Sequence, residues 1–203
     1  VERSQEAEIM DHPDCPEELL EAGYRDLMRI HRWLGDLRAM ARAVAANPRP
    51  VRRVLDVGCG RGGVMRALEQ RLGVETVGVD VRPWPGVLAL DATRDPLPEA
   101  DVAISVHVAH HLSEEDLVRL IQNVRRASPR FILMDLVRSR LPLTLFRLFV
   151  APLVCDVVRH DGAVSVRRAF TPEEMKMIVA RAVGGAPFRQ RVAPLCIRQV
   201  IEI

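Results

Sequence analysis

Gly58, Gly60 and Gly63 stand at G-x-G-x-x-G spacing within VLDVGCGRGG, after an apolar run and before a helix-like segment. Glycine has no Cβ and tolerates positive φ, so such a turn lets the backbone approach a nucleotide closely. Asp80 follows at the end of the next apolar run, where a carboxylate can accept both ribose hydroxyls. Asp56, two residues before the first glycine, narrows the ligand. A carboxylate there repels a pyrophosphate and suits a cationic group. Cys59 lies inside the turn, Val81 follows Asp80, and Asp91-Ala92 follows a third apolar run. His107, His110 and His111 cluster just past Ser105, at the end of a fourth. A near-neutral imidazole can deprotonate a phenol or an enol. His107 and His111 are therefore candidate bases, with His160 of Arg159-His160-Asp161 as a third.

These side chains need a scaffold. From residue 53 onward, short β-branched runs alternate with helical stretches. Strands are predicted over Val54 to Val57, Thr76 to Val79, Val87 to Leu90, Val102 to Ser105 and Phe131 to Met134, with a helix over Val64 to Leu72. Ser113 and Thr171 open two further helices, each with Glu or Asp three residues on. Apolar runs near 188–192 and 195–203 follow. The β-α-β alternation implies an open, mostly parallel sheet covered on both faces. Upstream, Asp14 reads as an N-cap. Leu20, Tyr24, Leu27, Ile30, Leu34, Leu37, Ala41 and Val44 then recur at helical steps, predicting one long amphipathic helix that ends at Asn47-Pro. That helix either packs on the domain or covers a substrate.

The fifth strand and the helix at Thr171 are separated by residues 136–170, far more than the fold needs for a link. Long connections at the open edge of such sheets build binding sites. Leu143, Leu145, Phe146, Leu148, Phe149 and Leu153 make this one an apolar cap, which implies a hydrophobic substrate. Arg167 and Arg168 are candidates to contact an acidic or enolate oxygen. The chain reads as one domain over 1–203: a helical arm at 1–47, a nucleotide-binding core at 51–135, the cap at 136–170, and a closing helix and strand pair at 171–203.

Val54-Leu-Asp-Val-Gly-Cys-Gly60 closely resembles motif I of the class I S-adenosylmethionine (SAM) dependent methyltransferases. Their donor carries an ammonium and a sulfonium beside one carboxylate, which agrees with the reading of Asp56. Asp91-Ala92 is similar to the family's second acidic position, which usually meets the adenine amino group. The segment Asp101-Val-Ala-Ile-Ser-Val-His-Val-Ala-His-His-Leu112 resembles the motif after strand four of small-molecule members. The resemblance covers residues 50–135 and implies a Rossmann-like, seven-stranded, mostly parallel sheet. It also implies SAM contacts from Asp56, Gly58, Cys59, Gly60, Asp80, Val81, Asp91, Ala92, Ser105 and His107. In this family a histidine pair before leucine is often structural, so the identity of the base stays open. Asp135-Leu-Val-Arg-Ser139, His160-Asp-Gly162 and the segment 165–174 are similar to a bacterial subgroup encoded beside type III polyketide synthases. The expected reaction is methyl transfer to a hydroxyl of a phenolic, quinone-like or polyketide molecule, with carbon methylation as the alternative. A SAM-binding partner without catalysis is a competing reading. A nicotinamide oxidoreductase conflicts with Asp56.

Composition removes other classes. With 48% hydrophobic residues, the 203-residue chain can build a full core. Its 29 basic residues, all but Lys176 arginine, nearly balance 27 acidic ones and are scattered, so no nucleic acid is expected. Cys15, Cys59, Cys155 and Cys196 show no C-x-x-C spacing and fit free thiols in a reducing, cytoplasmic setting, as does the polar start VERSQEAEIM. Arg147, Pro152 and Asp156 interrupt the most apolar stretch, so no membrane span is expected. No Asn/Asp-Pro-Pro-Tyr/Phe follows the fourth strand, which argues against amino methylation of DNA bases. Ser105 and His107 replace an acidic metal cluster, and Asp135 alone would hold magnesium poorly, so no metal is expected. Glu114 and Glu115 read as a helix start rather than the paired glutamates of an arginine methyltransferase. Monomer and homodimer both remain open.

Overall fold

A computed structural model describes residues 2–203. Seven strands form one sheet in the order β3-β2-β1-β4-β5-β7-β6. These are β1 (Arg53–Val57), β2 (Glu75–Asp80), β3 (Leu88–Ala89), β4 (Val102–Val106), β5 (Phe131–Leu136), β6 (Arg189–Val192) and β7 (Arg198–Glu202). The first five run parallel, whereas β7 pairs antiparallel with both β5 and β6. The expected strand pair at the end of the chain is therefore a hairpin. The third strand is shorter than Val87 to Leu90, because only Leu88 and Ala89 align with Val79 and Asp80 at the sheet edge.

Side chains alternate across the sheet, and each set has its own helical layer. Leu55, Val57, Ala103 and Leu133 point to α4 (Glu114–Ala127) and α7 (Pro172–Val183), where Leu117, Ile121, Met175 and Val179 complete a fully buried cluster. Val54, Val102, Ile104, Ile132 and Met134 point the other way. They meet Met40 and Val44 of α2 (Asp36–Ala45) and Leu68 of α3 (Gly63–Leu72). Near-continuous apolar strands are what a sheet covered on both faces requires. At the start of α7, Thr171 and Glu174 form a reciprocal capping box, with Pro172 in the first turn.

The arm is not one helix. It divides into α1 (Glu17–Trp33) and α2 at Gly35, whose φ of 78° is left-handed. The apolar spacing continues across the break because both helices bury a face, so periodicity alone hides the turn. Asp14 is not the cap either: α1 begins after Pro16, which offers no side-chain acceptor.

The cap comprises α5 (Arg140–Leu145), a π-helical turn (Phe146–Val150), a 3-10 turn (Ala151–Leu153) and α6 (Asp156–Arg168). Gly162 of α6 lies against the Phe146 ring, leaving no room for a Cβ. Val154, Val157 and Val158 pack with Leu27 and Ile30 of α1 and with Met10, joining cap and arm in one small core. His160, the third candidate base, sits within α6. Among the described residues, no helix is long and apolar enough to cross a membrane.

Candidate functional site

The glycine turn leaves the carboxyl end of β1 with Gly58, Gly60 and Gly62 at φ of 72°, 51° and 71°. Gly58 and Cys59 donate their N–H groups to the Val79 carbonyl at 2.8 and 3.2 Å, holding the turn over β2. Asp80 braces it from below: Oδ2 accepts from Gly60 N at 2.8 Å and Oδ1 from Arg82 N at 2.9 Å. A Cβ on Gly58 would collide with Val108, and one on Gly63 with Met28 of α1. Cys59 packs over Gly78, and burial together with the Asp56 and Asp80 carboxylates pushes its thiol pKa up, so it stays protonated.

Asp56 is 1% exposed. Burial, reinforced by the Asp80 charge, raises its carboxyl to about 7. Its Oδ2 has no hydrogen-bond partner among the described residues. Three other buried polar atoms share that condition among the described residues: Arg61 Nε, Trp84 Nε1 and His107 Nε2. Native chains satisfy nearly all such groups, so each exception calls for a reason. All four belong to residues at or just after the carboxyl ends of β1, β2 and β4. In open α/β sheets that edge is where ligands bind.

Two aromatic residues wall this edge. Tyr24 of α1 lies against Gly60, and its ring meets Trp84 edge-on with centroids 5.7 Å apart. Arg61 covers both rings, 5.4 and 4.9 Å from their centroids. Burial, aided by Asp80, pushes the Tyr24 phenol up to about 12. In sequence Tyr24 reads as one more apolar position of a helix, and the chemistry of its hydroxyl is missed there.

The remaining predicted contacts spread along the same edge. Val81 is exposed, and Ala92 is buried with its carbonyl accepting from Asn123 Nδ2 at 3.0 Å. Asp91 accepts from Thr93 N at 2.9 Å and from Arg94 Nε at 2.7 Å, and the Thr93 hydroxyl leads in holding its carboxyl below the usual range. Ser105 is fully buried and donates its hydroxyl to Val57 O at 3.0 Å, tying β4 to β1.

The four histidines of the two histidine segments divide between two settings. His107 adopts a left-handed φ of 58°, unusual for a residue with a Cβ, while its N–H donates to Met134 O at 2.8 Å. That bend sends its ring toward the arm. Nε2 lies 3.6 Å from Asp36 Oδ2, Nδ1 lies 3.8 Å from Asp135 Oδ1, and the ring sits 5.0 Å from that of His31. Asp36 is buried and bound by His31 Nδ1 at 2.9 Å and Arg198 Nη1 at 2.5 Å. Burial opposes its charge, yet the facing imidazoles of His107 and His31 hold its carboxyl well below the usual carboxylate range. For His31, burial outweighs the bond to Asp36 and lowers the imidazole pKa. Sequence reading misses His31, Asp36 and Arg198, because Arg198 lies 162 positions from Asp36 in the chain.

The other three face residues 2–12, which run as a strap from the turn after β4 to α6. His110 is 3% exposed and its ring and backbone nitrogens both meet Asp135 at 2.7 Å. Glu8 lies 3.5 Å from its far nitrogen. Burial opposes the imidazolium, but Asp135 and Glu8 outweigh it and raise its pKa to about 10. His111 stacks on His110 at 4.1 Å and binds Asp11 Oδ2 at 2.8 Å. His160 binds Asp161 Oδ1 at 2.8 Å and lies 3.2 Å from Glu6 Oε1, and the Asp161 bond leads in raising its pKa. Ile9 N and Met10 N both donate to the Asp161 carboxylate at 2.9 Å. The predicted bases thus separate, with His107 facing α1 and α2 and with His111 and His160 facing the strap.

Five parallel strands, an antiparallel β7 inserted between β5 and β6, and a glycine turn after β1 define the class I methyltransferase fold. The family model for the methyltransferase domain matches residues 27–152, and the chain belongs to that family. A comparison with curated proteins finds no match. Among solved structures, the plantazolicin methyltransferase BpumL in complex with SAH aligns with a TM-score of 0.70 at 11% identity, covering 96% of this chain and 91% of that one. The pyocyanin biosynthetic protein PhzM aligns at 0.57 and 17% identity, covering 96% of this chain and 59% of that one. Human N-acetylserotonin methyltransferase in complex with SAM aligns at 0.56 and 16% identity, covering 98% and 62%. At these identities the likeness is one of fold.

Proposed function

We propose that the chain transfers a methyl group from SAM to a hydroxyl of a hydrophobic small molecule. The observation that carries this reading is Asp56 Oδ2, a buried acceptor without a partner beside a glycine turn. A carboxylate in that position matches the ammonium of the donor's methionine moiety and repels a pyrophosphate. Asp80 suits the ribose hydroxyls, Tyr24 and Trp84 supply flat apolar walls, and Asp91-Ala92 suits the adenine. When bound, SAM supplies an electrophilic methyl on a positively charged sulfur.

The chain's own residues then align the acceptor, exclude water and move one proton. Orientation alone is worth about 7–11 kcal/mol of barrier lowering. His107, at the end of β4, takes the hydroxyl proton as the oxygen bonds to the methyl carbon and the carbon–sulfur bond breaks. Asp36 at 3.6 Å and Asp135 at 3.8 Å answer the charge that the imidazole gains. His110 is a poor base because its ring is already a buried cation. The mechanism needs no metal. His31, Asp36 and His107 bring three donor atoms within 4.8 Å of one another, but the Arg198 guanidinium already occupies Asp36 and would repel a dication. The cap and the arm pack on each other through Leu27, Ile30 and Val154, which joins the cap to the elements that wall the glycine turn.

Titration calorimetry with SAM, SAH and NAD(H) tests the cofactor. SAM and SAH binding without NAD(H) binding is expected, and the reverse pattern refutes the reading. Methyl transfer from labelled SAM to a panel of phenols, resorcinols and quinols tests the acceptor class. His107→Gln should lower turnover by roughly 10²–10⁴-fold with SAM affinity kept. Equal turnover in that variant removes His107 as the base.

A further inference from the structure

The outer face of the cap has no partner among the described residues. Leu141, Leu148, Phe149 and Leu153 are 46%, 63%, 65% and 56% exposed. All four lie within residues 141–153 of the continuous α5, π and 3-10 run, so they form one local apolar band rather than scattered points. Leu195, 60% exposed, continues the band from the 3-10 turn (Pro194–Cys196) that packs on α5. Large exposed side chains in one band mark an interaction surface. The charge within the band is one-sided. No aspartate or glutamate occurs from residue 136 to residue 155, while Arg140 and Arg147 stand exposed among the leucines.

We infer that this face docks on the surface of an anionic lipid bilayer. Apolar side chains beside arginines, with no carboxylate between them, are the pattern of helices that lie in the bilayer interface. Leucine and phenylalanine enter the acyl boundary, and the guanidinium groups stay at the level of the lipid phosphates. Pairing this face with a second copy of itself would set Arg140 and Arg147 against their own kind with no carboxylate to answer them. The segments involved are short and the chain does not span the bilayer, so binding is peripheral and reversible. Docking there sets the cap against a phase in which hydrophobic molecules dissolve. The inference stands on the cap surface and is independent of which acceptor is methylated.

Co-sedimentation of the full chain with phosphatidylcholine vesicles, with and without phosphatidylglycerol, tests it. Binding is expected on the anionic vesicles, weakening as salt rises. Arg140→Gln with Arg147→Gln should lower the partition coefficient by about 30-fold, at roughly a fivefold step per arginine. Leu148→Ser with Phe149→Ser should abolish binding. All four side chains are exposed, so unchanged melting temperature and SAM affinity will show that both variants fold. No wild-type binding to anionic vesicles overturns the proposal, as does equal binding by the serine variant. A dimer in solution that the serine variant dissolves also overturns it, in favour of a second copy as the occupant.

Discussion

Asp56→Asn should make the protein more stable and a poorer SAM binder at once. The carboxyl is 1% exposed, and burial with the nearby Asp80 raises it from the ordinary 3.8 to about 7. A rise of about three units corresponds to about 4 kcal/mol of destabilisation when the group is ionised. The sign follows from proton binding. The folded pKa lies above the unfolded one, so the folded chain holds the extra proton between them. The penalty is therefore absent below about pH 4, grows through the window and is complete above about pH 7. Asparagine removes the charge but leaves a buried amide, which takes back about 1–2 kcal/mol. The net gain at about pH 8 is about 2 kcal/mol, or about 4–8 °C in melting temperature for a chain of this length. Near pH 5 the gain should vanish. Thermal melts of both proteins at the two pH values, with SAM titrations alongside, provide the assay. SAM affinity should fall at least about tenfold, since a hydrogen bond to a charged group contributes about 1.5–3 kcal/mol. A variant that melts below the wild type at about pH 8, or a difference that ignores pH, refutes the electrostatic argument. Unchanged SAM affinity refutes the pairing with the ammonium.

Gly58→Ala should cost about 2–4 kcal/mol in urea denaturation, from left-handed strain and from the collision with Val108; adding Val108→Ala should return only the steric part. The strap should loosen as pH rises. His110 has its pKa raised to about 10, so its contribution is complete below about pH 6.5 and lost as pH climbs through about 10; thermal melts across that range should show the decline. Glu8→Gln removes a buried partner of His110 and should cost about 3–5 kcal/mol near neutral pH while flattening that slope. Thr171→Ala breaks the capping box of α7 and should cost about 1 kcal/mol by the same measurement.

The parts of the molecule governed by local rules were legible before any coordinates. The glycine turn, the strand ends that carry Asp56, Asp80 and Asp91, and the caps at Ser113 and Thr171 depend on neighbours a few residues away. The break at Gly35 was not, because helical spacing runs through it and a single glycine is tolerated inside many helices. The setting of His107 was also hidden. It depends on His31 and Asp36 from the arm and Arg198 from the last strand, which only the sheet topology brings together. The strap shows the same limit. Glu6, Glu8 and Asp11 read as a polar, acidic start, yet each faces a histidine more than a hundred positions downstream or nearly so. Pairwise charge matching over such separations leaves no periodic trace in the chain.

That strap also sets an order of events during synthesis. Its carboxylates and backbone donors leave the ribosome well before their partners, because Asp161, Ser165 and Arg167 are made about 150 residues later. At about 5–20 residues per second, that is a wait of roughly 8–30 s. Closing so long a loop costs about 4–5 kcal/mol in chain entropy, which only the assembled α6 and β4 ends can offset. The strap is thus translated well before its partners and is among the last segments to dock. Until it docks, His110 lacks its Glu8 partner, and the turn after β4 stands open.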